Sequence, residues 1–231
     1  MERKTIRPQI YEVPHKAIRN ALSQLTLMSG YTDYNDSQEL EKLQNSFKEI
    51  FGMLDVHAVH ENNVTLKHLE SKIGGSSEHD MEDHEKIETE MRSLEKLFDD
   101  ITEIKGDRTA AGIKFYEKLS EFHAGYLLHM LEEEQVTQPL VWDNFNDEEI
   151  LQQEIEIRSA IPPGEMLIWC KYLMPAIGDE LRIHMLSGIK ANAPSEFYDA
   201  ILKVTESVIS KDSYDNLINK LTYSSEVADT V

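Results

Sequence analysis

Helix-breaking residues are scarce in this chain and fall in clusters, and that constrains its fold more than any other feature. Its 231 residues include 10 glycines and 7 prolines, gathered at a handful of places. Between those places the sequence reads helical almost throughout. Pro14 stands where a first helical residue belongs and opens PHKAIRNALSQLTLMSG, which closes at Gly30. Proline gives up only a donor that the first turn does not use, and glycine tolerates the chain reversal at the end. GYTDYND is a loop, and Asp36 with Glu39 three residues later has the spacing of a capping box for a long helix to about Lys72. IGGSS interrupts it. A third helix runs from Ser77 or Glu78 to Lys105, with Ile87, Met91, Leu94, Leu97, Phe98 and Ile101 at three-and-four spacing. Gly106–Asp107 closes that helix and caps a fourth, from Arg108 to about Gln135.

Beyond Pro139 the segments shorten. VWDNFNDEEI is a turn and an acidic helix start, SAIPPGEM and MPAIGDE are breaks, NAPSEFYDAILKVTESVISK is an amphipathic helix, and LTYSSEVADTV is a frayed tail. No alternating β pattern and no internal repeat occur. The expected fold is all-α: an antiparallel up-and-down four-helix bundle over residues 8–140, a smaller helical extension over 141–222, and a flexible tail at 223–231. With 40% hydrophobic residues, the chain can bury one sizeable core.

Charge narrows the partners. The net charge is −20, with the acidic residues spread along the chain, so nothing is present to neutralise phosphates or anionic lipid headgroups. Nucleic acid and membrane are therefore not expected partners. The one cysteine, Cys170, lies in the apolar run MLIWCKYLM, which excludes a disulfide framework. No apolar segment follows the basic residues of MERKTIRPQIYEV, and no apolar run reaches the roughly 20 residues that span a bilayer. A soluble, cytoplasmic protein is expected.

The histidines carry the chemistry. His57 and Glu61 are four apart, as are His84 and Glu88, and His129 and Glu133. At about 100° per residue, the second side chain of such a pair lies only about 40° around the helix and roughly 6 Å along it. An imidazole and a carboxylate so placed can reach one ion, or two neighbouring ions. In so acidic a sequence a single such pair arises by accident and more often makes a surface contact. His57 is flanked by Phe51, Leu54, Val64 and Leu69, and His129 by Tyr126, Leu127, Leu128 and Leu131. Polar groups within an apolar stripe are costly unless paired or bound to metal. His15 and His84 put one histidine on each of the other two long helices. If the third and fourth helices turn at Gly106, His84 and His129 stand side by side, about 32–33 Å from the turn. His15 and His57 differ by about 9 Å in height, and the 57–61 pair and His84 by about 10 Å, distances the connecting loops must climb.

Taken in order, PHKAIR, VHAVHE, EDHEKIE and HMLEEEQ resemble the four-helix hemerythrin-like, or HHE cation-binding, domain, over about residues 10–140. WDNFNDEEI and IWCKYLMPAIGDELRIHMLSGIKANAPSEFYDAIL resemble the helical extension that follows such domains in bacterial and plant relatives. The resemblance implies a non-haem di-iron centre in which His15, His57, His84 and His129 are terminal nitrogen ligands and Glu61 and Glu133 can bridge two irons. Imidazole with carboxylate also suits zinc or manganese, and the lack of thiolate disfavours copper(I) and iron–sulfur centres. Oxygen-carrying members have a further histidine one turn before the third-helix ligand, where this chain has Asp80. That histidine is then missing, displaced to His79, or replaced by His60, which lies about 60° from His57 and is either a ligand or an outer-shell group. An acidic residue there implies a harder, more reducing centre, closer to oxygen-activating sites than to reversible carriage. Tyr126, one turn before His129, either donates a hydrogen bond to a bound oxygen species or belongs to the core. His123 is expected at a helix seam, and His68 and His184 on the surface.

Three functions follow. One is a metal-dependent protein that binds or senses O2, NO or iron, with the C-terminal helices reporting the change. Another is a di-iron enzyme of oxidative or nitrosative defence, or of iron handling. The last is a metal-free helical scaffold. Hydrolysis has no support, since no nucleophile with a paired base, Gly-rich phosphate loop or dinucleotide fingerprint occurs. Repair-type relatives carry a cysteine-bearing N-terminal segment, and no cysteine precedes His15, so binding or sensing is expected over catalysis.

Overall fold

Helices form wherever the breakers allow, and no strand occurs among the described residues. The structure, a computed structural model, describes residues 7–228, with side chains as far as Thr222. The residues divide into two compact units: one made of those up to His15 with Ala21–Ala160, the other of Lys16–Asn20 with those from Ile161. The bundle boundary expected after residue 140 falls inside the first unit.

Helix α1 spans Glu12–Tyr31, most of it in the first unit and Lys16–Asn20 in the second. It starts two residues before Pro14, which therefore sits inside the first turn, where its missing N–H costs nothing. Helix α2 covers Ser37–His60 and is capped by Asp36, whose carboxylate accepts from the N–H groups of Gln38 and Glu39. The capping box is half realised, because the Glu39 carboxylate accepts from Asp33 N at 2.8 Å instead of closing on Asp36. The helical run reaches Lys72, as the sequence predicts, but through a π-helical turn, Glu61–Leu66, before α3, Lys67–Lys72. Helix α4 spans Glu78–Glu103 and α5 spans Thr109–Glu132. Beyond α5 a second π-helical turn, Glu133–Thr137, leads into α6, Gln138–Asn144. The fourth helical run thus passes the expected end at Gln135 and crosses Pro139. The π turn shifts the hydrogen-bond register, and Pro139 falls in the first turn of α6, where no donor is required. Helix α7, Asp147–Ala160, completes the unit.

The core of this unit is aromatic. Phe47 meets Phe51 at 4.0 Å, Phe98 at 5.4 Å and Phe115 at 5.6 Å between ring centroids. The stack continues from Phe51 to Phe122, then to Tyr126 and on to the ring of His129. A second cluster joins Ile10, Tyr11, Leu66, Leu69, Val141, Phe145 and Ile150. The chain before α1 is laced onto it: Arg7 donates to the carbonyls of Trp142 and Phe145 and to Asp147, Trp142 Nε1 donates to Pro8 O, and Ile10 N donates to Gln138 Oε1.

The second unit contains α8, Pro163–Ala176, α9, Asp179–Asn192, α10, Ser195–Val208, and α11, Lys211–Ala228. Helix α8 packs on α10 and α9 on α11. Asp179 receives Arg182, Lys220 and Asn216, and Asn20 donates to Tyr172 O. Cys170 is buried, and burial pushes its thiol up to about 12, so it stays protonated and inert. The amphipathic helix expected to run through Ser210 stops at Val208, and KDSYDNLINK begins α11. The segment expected as a tail at 223–231 continues the α11 backbone to Ala228, and residues 229–231 lie outside the described residues.

Candidate metal centre

Each of the four long helical runs turns one histidine into the interior: His15 from α1, His57 from α2, His84 from α4 and His129 from α5. All four are buried, as are Glu61 and Glu133. The two carboxylates open the two π turns. A π turn carries one extra residue per turn, and such turns recur at functional sites. The His-x-x-x-Glu spacing brings each imidazole to its own carboxylate, with His57 Nε2 at 3.1 Å from Glu61 Oε1 and His129 Nε2 at 3.4 Å from Glu133 Oε1.

Each carboxylate also faces both halves of the site. Glu61 aims Oε1 at His57 and, at 3.9 Å, at His15, while its Oε2 lies 3.3 Å from His84 Nε2. Glu133 aims Oε2 at His15, 3.2 Å away, while its Oε1 lies 3.5 Å from His84 and beside His129. The rings pair accordingly, His15 with His57 at 5.3 Å and His84 with His129 at 5.0 Å between centroids. Two groups of ligand-bearing side chains result: His15, His57, Glu61 and Glu133, and His84, His129 and Glu133.

The far side of two rings is fixed by hydrogen bonds. His15 Nδ1 lies 2.9 Å from Glu134 Oε1, and His84 Nδ1 lies 2.8 Å from Asn62 Oδ1. With Nδ1–H donating outward, Nε2 is the nitrogen turned to the centre. The pattern is reciprocal. The residue after Glu61 holds the α4 histidine, and the residue after Glu133 holds the α1 histidine.

A metal cation fits these residues on a direct observation. Nε2 of His15, His84 and His129 and all four oxygens of Glu61 and Glu133 are buried and make no hydrogen bond. Buried polar atoms without a hydrogen bond cost about 1–3 kcal/mol each, and these seven face one another across the cluster, an arrangement compatible with bound metal. The donor set of nitrogen and carboxylate oxygen without sulfur suits iron, manganese or zinc.

Protons and metal compete for this site. Burial opposes charge on His15 and His84, but the carboxylates of Glu133 and Glu61, with Glu134 beside His15, outweigh it and raise both to about 10. His57 goes the other way: burial and the neighbouring His15 charge lower it to about 4, against the pull of Glu61. Burial acts against the Glu61 carboxylate, yet His57, His15 and His84 hold it well below its usual range. Glu133 is lowered too, because His15, His84 and His129 outweigh burial and Glu61. Without metal, His15 and His84 therefore face the two carboxylates as cations.

The other expected residues are placed less centrally. His60 is half-buried and joins neither ligand group. His79 is exposed and pairs with Glu132 at 2.8 Å, so it does not take the place of an inner histidine. Asp80 is buried and accepts from Thr137 Oγ1 at 2.9 Å. Burial pushes its carboxyl up, as Glu133 also does, while the Thr137 hydrogen bond works against them. Tyr126 is buried, with its ring edge-on to His129 at 5.6 Å. His123 shares a contact with Thr26 between α5 and α1, and His68 and His184 lie at the surface. Sequence reasoning missed Asn62 and Glu134, although their adjacency to the two glutamates was a usable signal. It also missed Tyr11, whose ring tilts against His15 at 5.2 Å and whose phenol is pushed well above its usual value by burial, Glu133, Glu61 and Asp80.

Over residues 9–141 the sequence matches the hemerythrin HHE cation binding domain. That stretch is more than half of the chain and contains every residue of the buried cluster, so the protein belongs to the hemerythrin HHE cation-binding family. No curated protein matches the chain. Among the described residues no helix is long and apolar enough to cross a membrane.

Proposed function

We propose that residues 9–141 form a hemerythrin-type antiparallel up-and-down bundle that holds two metal ions, iron in preference to manganese or zinc. In this reading the protein binds or senses a small ligand such as O2 or NO, or iron itself. The observation that supports this best is the split of each carboxylate, with one oxygen of Glu61 and one of Glu133 facing His15 and the other facing His84. His15 and His57 would serve one ion, His84 and His129 the other, and both glutamates would span the pair. Bound iron would supply a redox-active Lewis acid able to engage a small oxygen-containing ligand.

The chain's own residues prepare the site for that role. Asn62 and Glu134 orient the rings, and the aromatic stack from Phe47 to Tyr126 closes the interior to bulk water on one side. The net charge of −20 supports a protein that works away from nucleic acid and anionic membrane surfaces.

A second reading, a di-iron enzyme, draws on Asp80. Its carboxyl lies at the edge of the site with its proton affinity raised by burial, and it could hold or release a proton there. The two readings separate on turnover of peroxide or ferrous iron. The shared metal centre is tested by metal content and optical absorption of the purified protein and of Glu61→Ala and His129→Ala. About two irons per chain, with absorption lost in both variants, is expected. Protein that contains no metal and folds equally well in all three forms would return it to a helical scaffold.

A further inference from the structure

Tyr11 does not follow from the ligand pattern. It sits one turn before His15, on the segment that Arg7, Pro8 and Ile10 tie to α6 and the residues after it. Those bonds hold the ring in place, tilted against His15. The side chain is 1% exposed, and its hydroxyl has no hydrogen-bond partner. A phenol rarely stays buried in that condition, because the lost hydration is not replaced. The residue nevertheless lies beside the buried cluster, its ring 5.2 Å from that of His15. Two further groups near it in the chain packing are also unsatisfied. Gln138 offers its Oε1 to Ile10 N and leaves Nε2 unpartnered, and Thr65, next to Leu66 of the cluster that contains Tyr11, leaves Oγ1 unpartnered. The Tyr11 hydroxyl is thus a buried donor without an acceptor. Tyr126, for which a donor role and a core role were both open, lies at a steep angle to His129, and Tyr11 is the tyrosine with an orphaned buried hydroxyl among the described residues.

We propose that the Tyr11 hydroxyl is the hydrogen-bond donor for a small anionic or oxygen-containing ligand admitted to the metal centre, a role that rests on the metal-centre reading above. The phenol keeps its proton and shares it with the incoming ligand; no bond to carbon forms or breaks. Its ring, packed against His15 and the Ile10 cluster, sets the direction of the O–H. Tyr11 is a ligand-binding group in this account and not a metal ligand.

Azide serves as the probe, titrated by optical absorption into iron-loaded ferric protein, wild type, Tyr11→Phe and Tyr126→Phe. Phenylalanine keeps the ring packing and removes only the hydroxyl. The expected result is an unchanged iron content in Tyr11→Phe with an azide dissociation constant raised by at least about tenfold, the worth of one hydrogen bond to a charged group. Tyr126→Phe should bind azide as wild type does. Equal azide affinity in Tyr11→Phe and wild type overturns the proposal, as does weakening confined to Tyr126→Phe. Loss of iron in Tyr11→Phe, with loss of a phenolate-to-iron absorption band, would make Tyr11 a ligand and overturn it as well. Wild-type protein that takes up no iron overturns the metal-centre reading and this assignment with it.

Discussion

A buried imidazole must either stay neutral or find a negative charge, and this site does both. His57 takes the neutral course, lowered to about 4, while His15 and His84 are raised to about 10 by the two glutamates. The signs lead to a definite pH dependence. His15 and His84 bind protons more tightly in the folded chain than at the unfolded value of 6.5, so their contribution is full below about pH 6.5 and fades as pH rises toward about 10. His57 does the reverse and costs stability as pH falls from 6.5 toward 4. Glu61 and Glu133, both held below 4.5, contribute above that value and lose their contribution in acid. Metal-free protein should therefore be most stable near pH 6.5, with a melting temperature that falls between pH 6.5 and 9. Metal held at Nε2 would replace these protons, so loaded protein should not show that alkaline decline. Calorimetry of chelator-treated and iron-loaded protein across this range decides it, and a metal-free melting temperature that rises toward pH 9 would contradict the charge assignment. At this scale the buried histidine–glutamate pairs were legible because i,i+4 spacing is a property of the helix itself. Tyr11 was not, because its position depends on Arg7 reaching Trp142 and Phe145, contacts across more than a hundred residues.

The four long helices could be read from the breakers, and the two π turns could not. Nothing in ENNVTL or EEQVT signals a widened turn, since its register is set by what the side chains on either side must reach. The same widening carries the fourth helical run past Pro139, which the sequence marks as an end. Close approach is a second hidden feature. Tyr34, in the loop after α1, lies flat on Gly112 of α5, so a Cβ built there would meet the ring at 2.4 Å. Gly112→Ala should displace Tyr34 and cost roughly 1–3 kcal/mol, the usual penalty of overpacking. Phe115→Ala, at the junction with Phe47 and Phe98, should cost about 3–5 kcal/mol by opening a cavity. Urea denaturation measures both, and a neutral Gly112→Ala would show that the loop can move aside freely.

At the scale of the molecule, a chain of net charge −20 buries Glu61 and Glu133 among four histidines. Helix α7 belongs with the first unit because Ile150 enters the cluster of Tyr11, Leu66 and Val141, and Arg7 reaches Asp147. Those partners are distant in sequence and leave no local pattern. A ligand that binds only the folded site stabilises the fold, so ferrous iron at about 100 times its dissociation constant should add about 2.7 kcal/mol per independent site. The gain should vanish in Glu61→Ala, and anaerobic thermal melts with and without iron would show it. An equal gain in that variant would place the metal elsewhere.

The most direct test of the metal pair is X-ray absorption of protein stripped with chelator and reloaded with iron. Ions bridged by Glu61 and Glu133 predict nitrogen and oxygen neighbours and a metal–metal scattering shell at about 3–4 Å, lost in Glu133→Ala. A first shell of the same atoms with no metal–metal shell, or a pair that survives Glu133→Ala, would contradict the bridged centre.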